Sequence, residues 1–255
     1  MTVPENVTVF GGEGRPLVIL PGLSTTRIVG KTAALSRVFS EFTDDGFEVF
    51  LMDRKAVVPD GYTTRDLAED AFSDMQALGI GKADVIGLSQ GGMIAQYLGI
   101  LHPESINKIV IGSSMAFQNP VSRKVLGNWI NLTREKRYRE LNLDIFGKLY
   151  SEEYYAANRE LFERAAGVLV PDGDGRFINL ATACLEHDAS AELGRIGCSV
   201  LVVGAEKDNV LTCQASRDLA ELIGCECFIF RNYGHAVYDE TPEFYRKAHS
   251  FLLQN

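Results

Sequence analysis

The chain has 255 residues, of which 46% are hydrophobic and 23% charged, a balance typical of a folded globular protein and not of a disordered chain. Its length allows one large domain or two small ones. The formal net charge of -9 argues against nucleic acid or an anionic membrane surface as a partner, since long-range repulsion would oppose the encounter, and favours a neutral or cationic small molecule.

The first half of the chain alternates between short apolar runs and helical patterns. Fully apolar runs that end in turn residues are typical of strands buried on both faces. In chain order the pattern predicts strands at 17–20 and 49–52, a helix from Thr63 to about Gly79, a strand at 84–87, a helix at 91–101 and a strand at 108–111. This order predicts parallel strands joined by right-handed crossovers, in a doubly wound, mostly parallel α/β sheet.

The pattern changes after Ser113. Residues 116–187 are predicted to be helical, without strand-like runs, and are rich in charged and aromatic residues. Strand patterns return at 199–204 and 227–230, and a last helix is predicted at about 242–253. We therefore expect one core domain formed by residues 1–115 and 188–255, with residues 116–187 inserted as a helical cap.

A serine motif stands where the strand at 84–87 passes into the next helix. Gly87-Leu88-Ser89-Gln90-Gly91 fits G-x-S-x-G in the strand–turn–helix context that this motif requires. A sharp turn there would present Ser89 above the sheet, and the N-terminus of the helix would direct the Gln90 N–H towards a developing oxyanion. The bland alternative is a glycine-rich turn with a capping serine. A dinucleotide fingerprint would need glycine in place of Ser89.

A serine nucleophile needs a base and a third group that orients the base. His235 lies in a loop directly after the last predicted strand, at the sheet edge where ligands bind. The other histidines, His102, His187 and His249, are more simply surface or capping residues. Asp208 follows the strand at 199–204, so the chain order Ser, Asp, His matches a hydrolase triad, with Glu206 as the competing acid.

The second oxyanion donor is expected from the loop after the first apolar strand. That loop reads Pro21-Gly22-Leu23-Ser24, and its position favours the backbone N–H of Leu23. No cofactor is needed for such chemistry. Cys225 and Cys227 alternate along a strand-like run with no second ligand pair nearby, which favours packing over a metal site.

The redox state and location follow from the same sequence. Five cysteines are an odd number without framework spacing, so reduced thiols are expected. The N-terminal stretch has no basic start followed by an apolar run, and no run is long enough to span a bilayer. These features predict a cytoplasmic protein.

These motifs together resemble the capped esterases, lactonases and C–C hydrolases of the α/β-hydrolase fold, over nearly the whole chain. The resemblance implies the Ser89–His235–Asp208 triad, and a lid at 116–187 that governs substrate selectivity. The chain departs from the family pattern at Pro21-Gly22, where His-Gly is frequent, and at Asp53-Arg54-Lys55-Ala56, where a glycine-rich turn is common. Serine at the nucleophile position excludes the branches that use a carboxylate nucleophile.

Several functions remain open at this level. The first is hydrolysis of a small ester, lactone or thioester through an acyl-Ser89 intermediate. The second is C–C bond hydrolysis, since Trp129 and Arg123 of the cap would suit a carboxylate-bearing molecule. The third is a non-catalytic receptor that retains the triad. The oligomeric state is not predicted.

Overall fold

The computed structural model describes residues 3–28 and 32–254. The first two residues of the N-terminal stretch and the last residue of the predicted core domain therefore lie outside the described residues. Within the described ranges, seven strands form one sheet in the order β1-β3-β2-β4-β5-β6-β7. In chain order they are β1 Val7–Phe10, β2 Arg15–Leu20, β3 Phe47–Met52, β4 Ala83–Leu88, β5 Ile106–Gly112, β6 Ser199–Lys207 and β7 Glu226–Gly234.

The sheet is parallel except at one edge. β1 pairs antiparallel with β3, whereas every other neighbouring pair runs parallel. All six residues of the central strand β4 are buried, which explains its nearly continuous apolar sequence. The mostly parallel sheet is as predicted, and the four-residue edge strand β1 is an element that the strand patterns did not predict.

Twelve α-helices accompany the sheet in the described part of the chain. They are α1 Thr32–Val38, α2 Ser40–Asp44, α3 Thr64–Ala77, α4 Gln90–Leu101, α5 Pro120–Arg134, α6 Tyr138–Leu149, α7 Glu152–Ala157, α8 Arg159–Val168, α9 Asp174–Leu185, α10 Cys213–Ile223, α11 Val237–Glu240 and α12 Glu243–Leu253. Thr63 and Asp66 form the predicted capping box of α3, and Leu67, Ala71 and Met75 bury its apolar face. None of the helices described is long and apolar enough to cross a membrane.

Helices cover both faces of the sheet. One face packs against α3, α4 and α10 in an apolar cluster that includes Met75, Ile94 and Leu219. The opposite face packs against α2 and α12 through side chains such as Phe42 and Phe244. The sheet is thus doubly wound, and the carboxyl ends of its parallel strands open onto a common edge.

Five helices, α5 to α9, connect β5 to β6. The chain leaves and re-enters the sheet region at one place, because Ala189 N donates to Ala116 O at 2.9 Å and Phe117 forms a bridge with Asp188. A third apolar cluster lies between these helices and the strand ends, and it contains Met93, Leu126, Trp129, Phe177 and Leu211. These helices therefore form one wall of whatever site lies at the edge of the sheet.

Candidate active site

Ser89 sits in a strained turn between β4 and α4. Its φ of 52° and ψ of -114° lie outside the regions that a residue with a Cβ prefers. The last residue of β5 and the segment after it hold both of its backbone groups: Ser89 N donates to Gly112 O at 2.8 Å, and Ser114 Oγ donates to Ser89 O at 2.9 Å. The end of β5 thus stabilises a conformation that raises the serine hydroxyl above the sheet.

The glycines of the motif are required by close packing. A Cβ on Gly87 would lie 2.4 Å from Gly91 O, and a Cβ on Gly91 would lie 1.9 Å from Leu20 O. Neither distance is compatible with a side chain, because both contacts are with backbone atoms. Glycine at these two positions therefore lets α4 approach the ends of β2 and β4 more closely than a residue with a side chain would allow.

Three side chains form a line of hydrogen bonds. Ser89 Oγ lies 2.9 Å from His235 Nε2, and His235 Nδ1 lies 2.8 Å from Asp208 Oδ2. His235 and Asp208 are 1% and 6% exposed, so water hardly competes for these contacts. The structure thus brings together the three residues that the sequence places on three separate loops.

The acidic member of the line has a fixed orientation. Asp208 Oδ1 accepts the backbone N–H groups of Val210 and Leu211, each at 2.8 Å, which leaves Oδ2 for His235. Burial alone would raise the pKa of Asp208, but the charge of His235 and these hydrogen bonds outweigh burial and hold the pKa below its ordinary value. The competing acid, Glu206, is exposed and its carboxylate accepts Asn232 N instead.

The loop that carries the histidine is held from two sides. Ala236 N donates to Leu149 O at 2.8 Å, and Gly234 N donates to Glu240 Oε1 at 2.9 Å. Glu240 also accepts Ser151 N at 2.9 Å and Ser151 Oγ at 2.5 Å. His235 is therefore fixed between α11 and the junction of α6 and α7.

The two residues predicted to supply the oxyanion donors lie near Ser89. Gln90 is the first residue of α4, where backbone N–H groups have no intrahelical acceptor. Its buried side chain points elsewhere, since Nε2 donates to Leu180 O and Cys184 Sγ on α9. Leu23 is half-buried and lines the same cavity as Ser89, and a Cβ on Gly22 would lie 3.3 Å from Ser89 Cβ.

A small cavity of about 50 Å³ opens onto Ser89 and His235. Half of its other lining residues come from the helices between β5 and β6, and their side chains are mainly apolar: Leu126, Trp129, Ile145, Leu149, Phe177 and Cys184. Trp129 Nε1 donates to Asp144 Oδ2 at 2.7 Å, so the indole offers the cavity an apolar surface. Burial raises the pKa of the Cys184 thiol to about 12, which keeps it protonated beside Ser89 at neutral pH.

Two expectations differ from the structure. Arg123 is exposed on α5 and is not among the cavity-lining residues, although its sequence position suggested a substrate contact. His187 is not a surface residue: it is 2% exposed, with Nδ1 2.8 Å from Thr64 Oγ1. The helical pattern does not show that α9 ends between α3 and α4, and this placement buries the imidazole.

Sequence reasoning did not identify Ser114 or Glu240 as parts of the site. Ser114 follows a strand that the pattern did predict, and polar residues at that edge of a parallel sheet are a usable signal. No motif marks Glu240, because its role depends on α6 and α7 returning to the histidine loop.

Comparison with known proteins assigns this chain to a family. A family model described as alpha/beta hydrolase fold matches residues 15–242. Two similar curated proteins are the 2-hydroxymuconate semialdehyde hydrolase of Pseudomonas putida and 3-oxoadipate enol-lactonase 2 of Acinetobacter baylyi. The first is 26% identical over 95% of this chain and 89% of its own length. The second is 22% identical over 96% and 91%, respectively.

Solved structures agree on the fold. An α/β-hydrolase enzyme from a Medee basin deep-sea metagenome library superimposes with a TM-score of 0.87 at 21% identity, over 98% of this chain and 94% of the other. At this identity the likeness shows the fold alone. It confirms the fold class that the sequence motifs indicated, and the family model over residues 15–242 confirms the family resemblance.

Proposed function

This chain belongs to the α/β-hydrolase fold family, and we propose that it is a serine hydrolase that cleaves a small ester, lactone or thioester. The observation that carries this proposal is the hydrogen-bonded line from Ser89 Oγ through His235 to Asp208, with contacts of 2.9 and 2.8 Å. Acyl transfer by a serine requires a nucleophile, a base within hydrogen-bonding reach and a fixed group that orients the base.

The proposed reaction has two halves. Ser89 Oγ attacks the acyl carbon while His235 Nε2 takes its proton, and the buried Asp208 carboxylate stabilises the resulting imidazolium. The leaving group departs with that proton, and the acyl group remains on Ser89. His235 then takes a proton from water, the hydroxide attacks the acyl-enzyme, and Ser89 Oγ regains its proton as the acid is released.

The negative charge of each tetrahedral intermediate needs donors. We assign this role to the backbone N–H groups of Gln90, which follows Ser89 in the chain, and of Leu23, which lines the same cavity as Ser89. The N-terminal end of α4 adds a favourable dipole at Gln90. Fixed donors of this kind stabilise charge without any reorganisation during the reaction.

We further propose that residues 116–187 form a cap over this site, inserted into a core domain of residues 1–115 and 188–255. The supporting observations are that the segment begins and ends at one place, and that its helices supply six of the fourteen residues that line the cavity. Trp129 shapes the acyl or alcohol side of the substrate in this proposal. The small cavity of about 50 Å³ suits a compact group, or a larger one admitted by movement of the cap.

The two alternative functions receive less support. Trp129 and Arg123 were expected to suit C–C bond hydrolysis of a carboxylate-bearing molecule, but of the two only Trp129 lines the cavity. A pure receptor would have no use for the strained backbone at Ser89 or for a buried, hydrogen-bonded Ser–His–Asp line.

Labelling with a fluorophosphonate probe tests the nucleophile directly. We expect the protein to be labelled at Ser89, with no labelling of the Ser89→Ala variant, because the probe requires an activated serine hydroxyl. Equal labelling of the two proteins would show that the nucleophile is another residue. A panel of short and medium acyl nitrophenyl esters then separates an enzyme from a receptor, since a receptor would bind them without turnover.

A further inference from the structure

The guanidinium of Arg54 hydrogen-bonds to the loop that carries the proposed donor Leu23. Arg54 follows β3 and is 5% exposed. Its Nη1 donates to Pro21 O at 2.6 Å, and its Nη2 donates to Gly22 O at 2.5 Å. The planar fork of an arginine thus holds two successive carbonyl groups of one loop.

The orientation of one carbonyl fixes the orientation of a neighbouring N–H. The Gly22 carbonyl and the Leu23 N–H belong to the same peptide unit, which is planar and trans, so they point in opposite directions. While Arg54 holds the Gly22 carbonyl, the Leu23 N–H must point away from Arg54. Leu23 and Ser89 line the same cavity, and Arg54 does not line it.

We propose that Arg54 is a positioning residue of the hydrolase, which holds the Gly22–Leu23 peptide so that its N–H faces the oxyanion formed at Ser89. The proposal rests on the proposed function. Gly22 makes such an anchor necessary, because a glycine permits both orientations of the following peptide. A flipped peptide would present a carbonyl oxygen where the reaction needs a donor, and the oxyanion would be repelled.

Arg54 is itself held in place. Asp53 Oδ1 accepts Arg54 N at 2.7 Å and lies 3.7 Å from Arg54 Nε, while Asp53 Oδ2 accepts Ile28 N at 2.8 Å. Arg176 of α9 donates to Arg54 O at 3.2 Å. Asp53 and Arg54 therefore fix both ends of the loop at 21–28, and Arg176 connects this anchor to the proposed cap.

The identity of the side chain follows from its two acceptors. Lysine carries one ammonium group and cannot hold two neighbouring carbonyls in a fixed plane. Arg15 offers a matched comparison at the other end of β2, where its Nε contacts the buried carboxylate of Asp84 at 2.6 Å, far along the strand from the loop. Lysine can keep that single ion pair.

The test compares Arg54→Lys and Arg54→Met with Arg15→Lys. We expect kcat for a nitrophenyl ester to fall at least about tenfold in Arg54→Lys and about 10²- to 10³-fold in Arg54→Met, the loss typical of one oxyanion donor, while KM changes little. Arg15→Lys should keep both constants near those of the unchanged protein. If Arg54→Met does not fold, Arg54→Lys carries the test alone.

An aryl trifluoromethyl ketone supplies a readout that a merely structural role would not move. It adds to Ser89 Oγ to form a hemiketal oxyanion, so its inhibition constant should rise in parallel with the loss of kcat. Unchanged kcat in Arg54→Lys and Arg54→Met, or a lower kcat with unchanged ketone affinity, overturns the proposal. Fluorophosphonate labelling of the unchanged protein at Ser89 distinguishes that result from failure of the proposed function itself.

Discussion

Asp208 meets His235 through one oxygen only, because its other oxygen is occupied by two backbone N–H groups. This arrangement predicts the effect of Asp208→Asn. The amide oxygen will keep the two backbone donors, so the NH₂ group must face His235 Nδ1. The imidazole is then forced to carry its proton on Nε2 and cannot accept the proton of Ser89. We expect kcat/KM for a nitrophenyl ester to fall roughly 10³- to 10⁴-fold.

Glu206→Gln is the matched control for that variant. Glu206, near the end of β6, is the acid nearest to Asp208 in the sequence, and its exposed carboxylate accepts Asn232 N instead of contacting the histidine. Its replacement should leave kcat/KM within about twofold, as for most surface substitutions. Single-turnover assays on both variants decide the assignment, and the reverse pattern would identify Glu206 as the acid.

The strained backbone of Ser89 predicts a difference between two inactive variants. Ser89→Ala keeps a Cβ at φ 52°, whereas Ser89→Gly removes it. Both variants lose the nucleophile, so any difference in stability reports the strain. We expect Ser89→Gly to exceed Ser89→Ala in free energy of unfolding by about 1 kcal/mol, measured by urea denaturation. A less stable glycine variant would mean that the turn is not strained at this residue.

The sequence predicted the sheet well because its signals are local. Buried parallel strands such as β4 read as continuous apolar runs, and the α3 capping box is visible in four residues. The sequence did not predict β1, because a strand of only four residues that pairs antiparallel at the sheet edge carries little pattern of its own. α2 was missed for the same reason, since five residues show no helical period.

The site divides in the same way. Ser89, Asp208 and His235 each follow a recognisable strand, so chain order alone suggested their meeting. Arg54 and Glu240 could not be assigned, because each contacts a loop that is distant in sequence: Arg54 contacts Gly22, and Glu240 contacts Ser151. The first contact depends on how the loops after β2 and β3 meet, and the second on how the helices between β5 and β6 pack, and local patterns encode neither.

Glu240 joins the proposed cap to the histidine loop, which predicts a loss of activity when its oxygens are removed. Glu240→Met would leave Ser151 N and Gly234 N without an acceptor and free the loop that carries His235. We expect kcat/KM to fall about 10- to 100-fold, because small displacements of a catalytic base are costly. Glu240→Gln retains one acceptor oxygen and should lose about threefold or less.

The control for Glu240→Met is Glu243→Met on the neighbouring helix. Among the described residues, the Glu243 side chain pairs with Arg246 in an exposed ion pair, and such pairs contribute little to stability. The activity of Glu243→Met should match that of the unchanged protein. Equal activity of Glu240→Met and Glu243→Met in the ester assay would contradict a role for Glu240 in holding the histidine loop.

His187 predicts how stability depends on pH. Burial lowers its pKa to about 4 in the folded protein, from an ordinary value of 6.5, against a smaller opposing effect of the Met115 carbonyl. Between these two pH values the unfolded chain binds more protons than the folded protein, so the free energy of unfolding rises with pH. The stability that His187 contributes is therefore lost as pH falls from about 6.5 towards 4. From pH 7 to pH 4.5 the loss of stability from this group is about 2 kcal/mol.

His187→Gln tests this prediction, because it keeps a hydrogen-bonding side chain beside Thr64 but cannot be protonated. Denaturant unfolding at the two pH values should show a smaller decrease in the free energy of unfolding for the variant than for the unchanged protein. Equal decreases would mean that the imidazole is protonated as easily in the folded protein as in the unfolded chain.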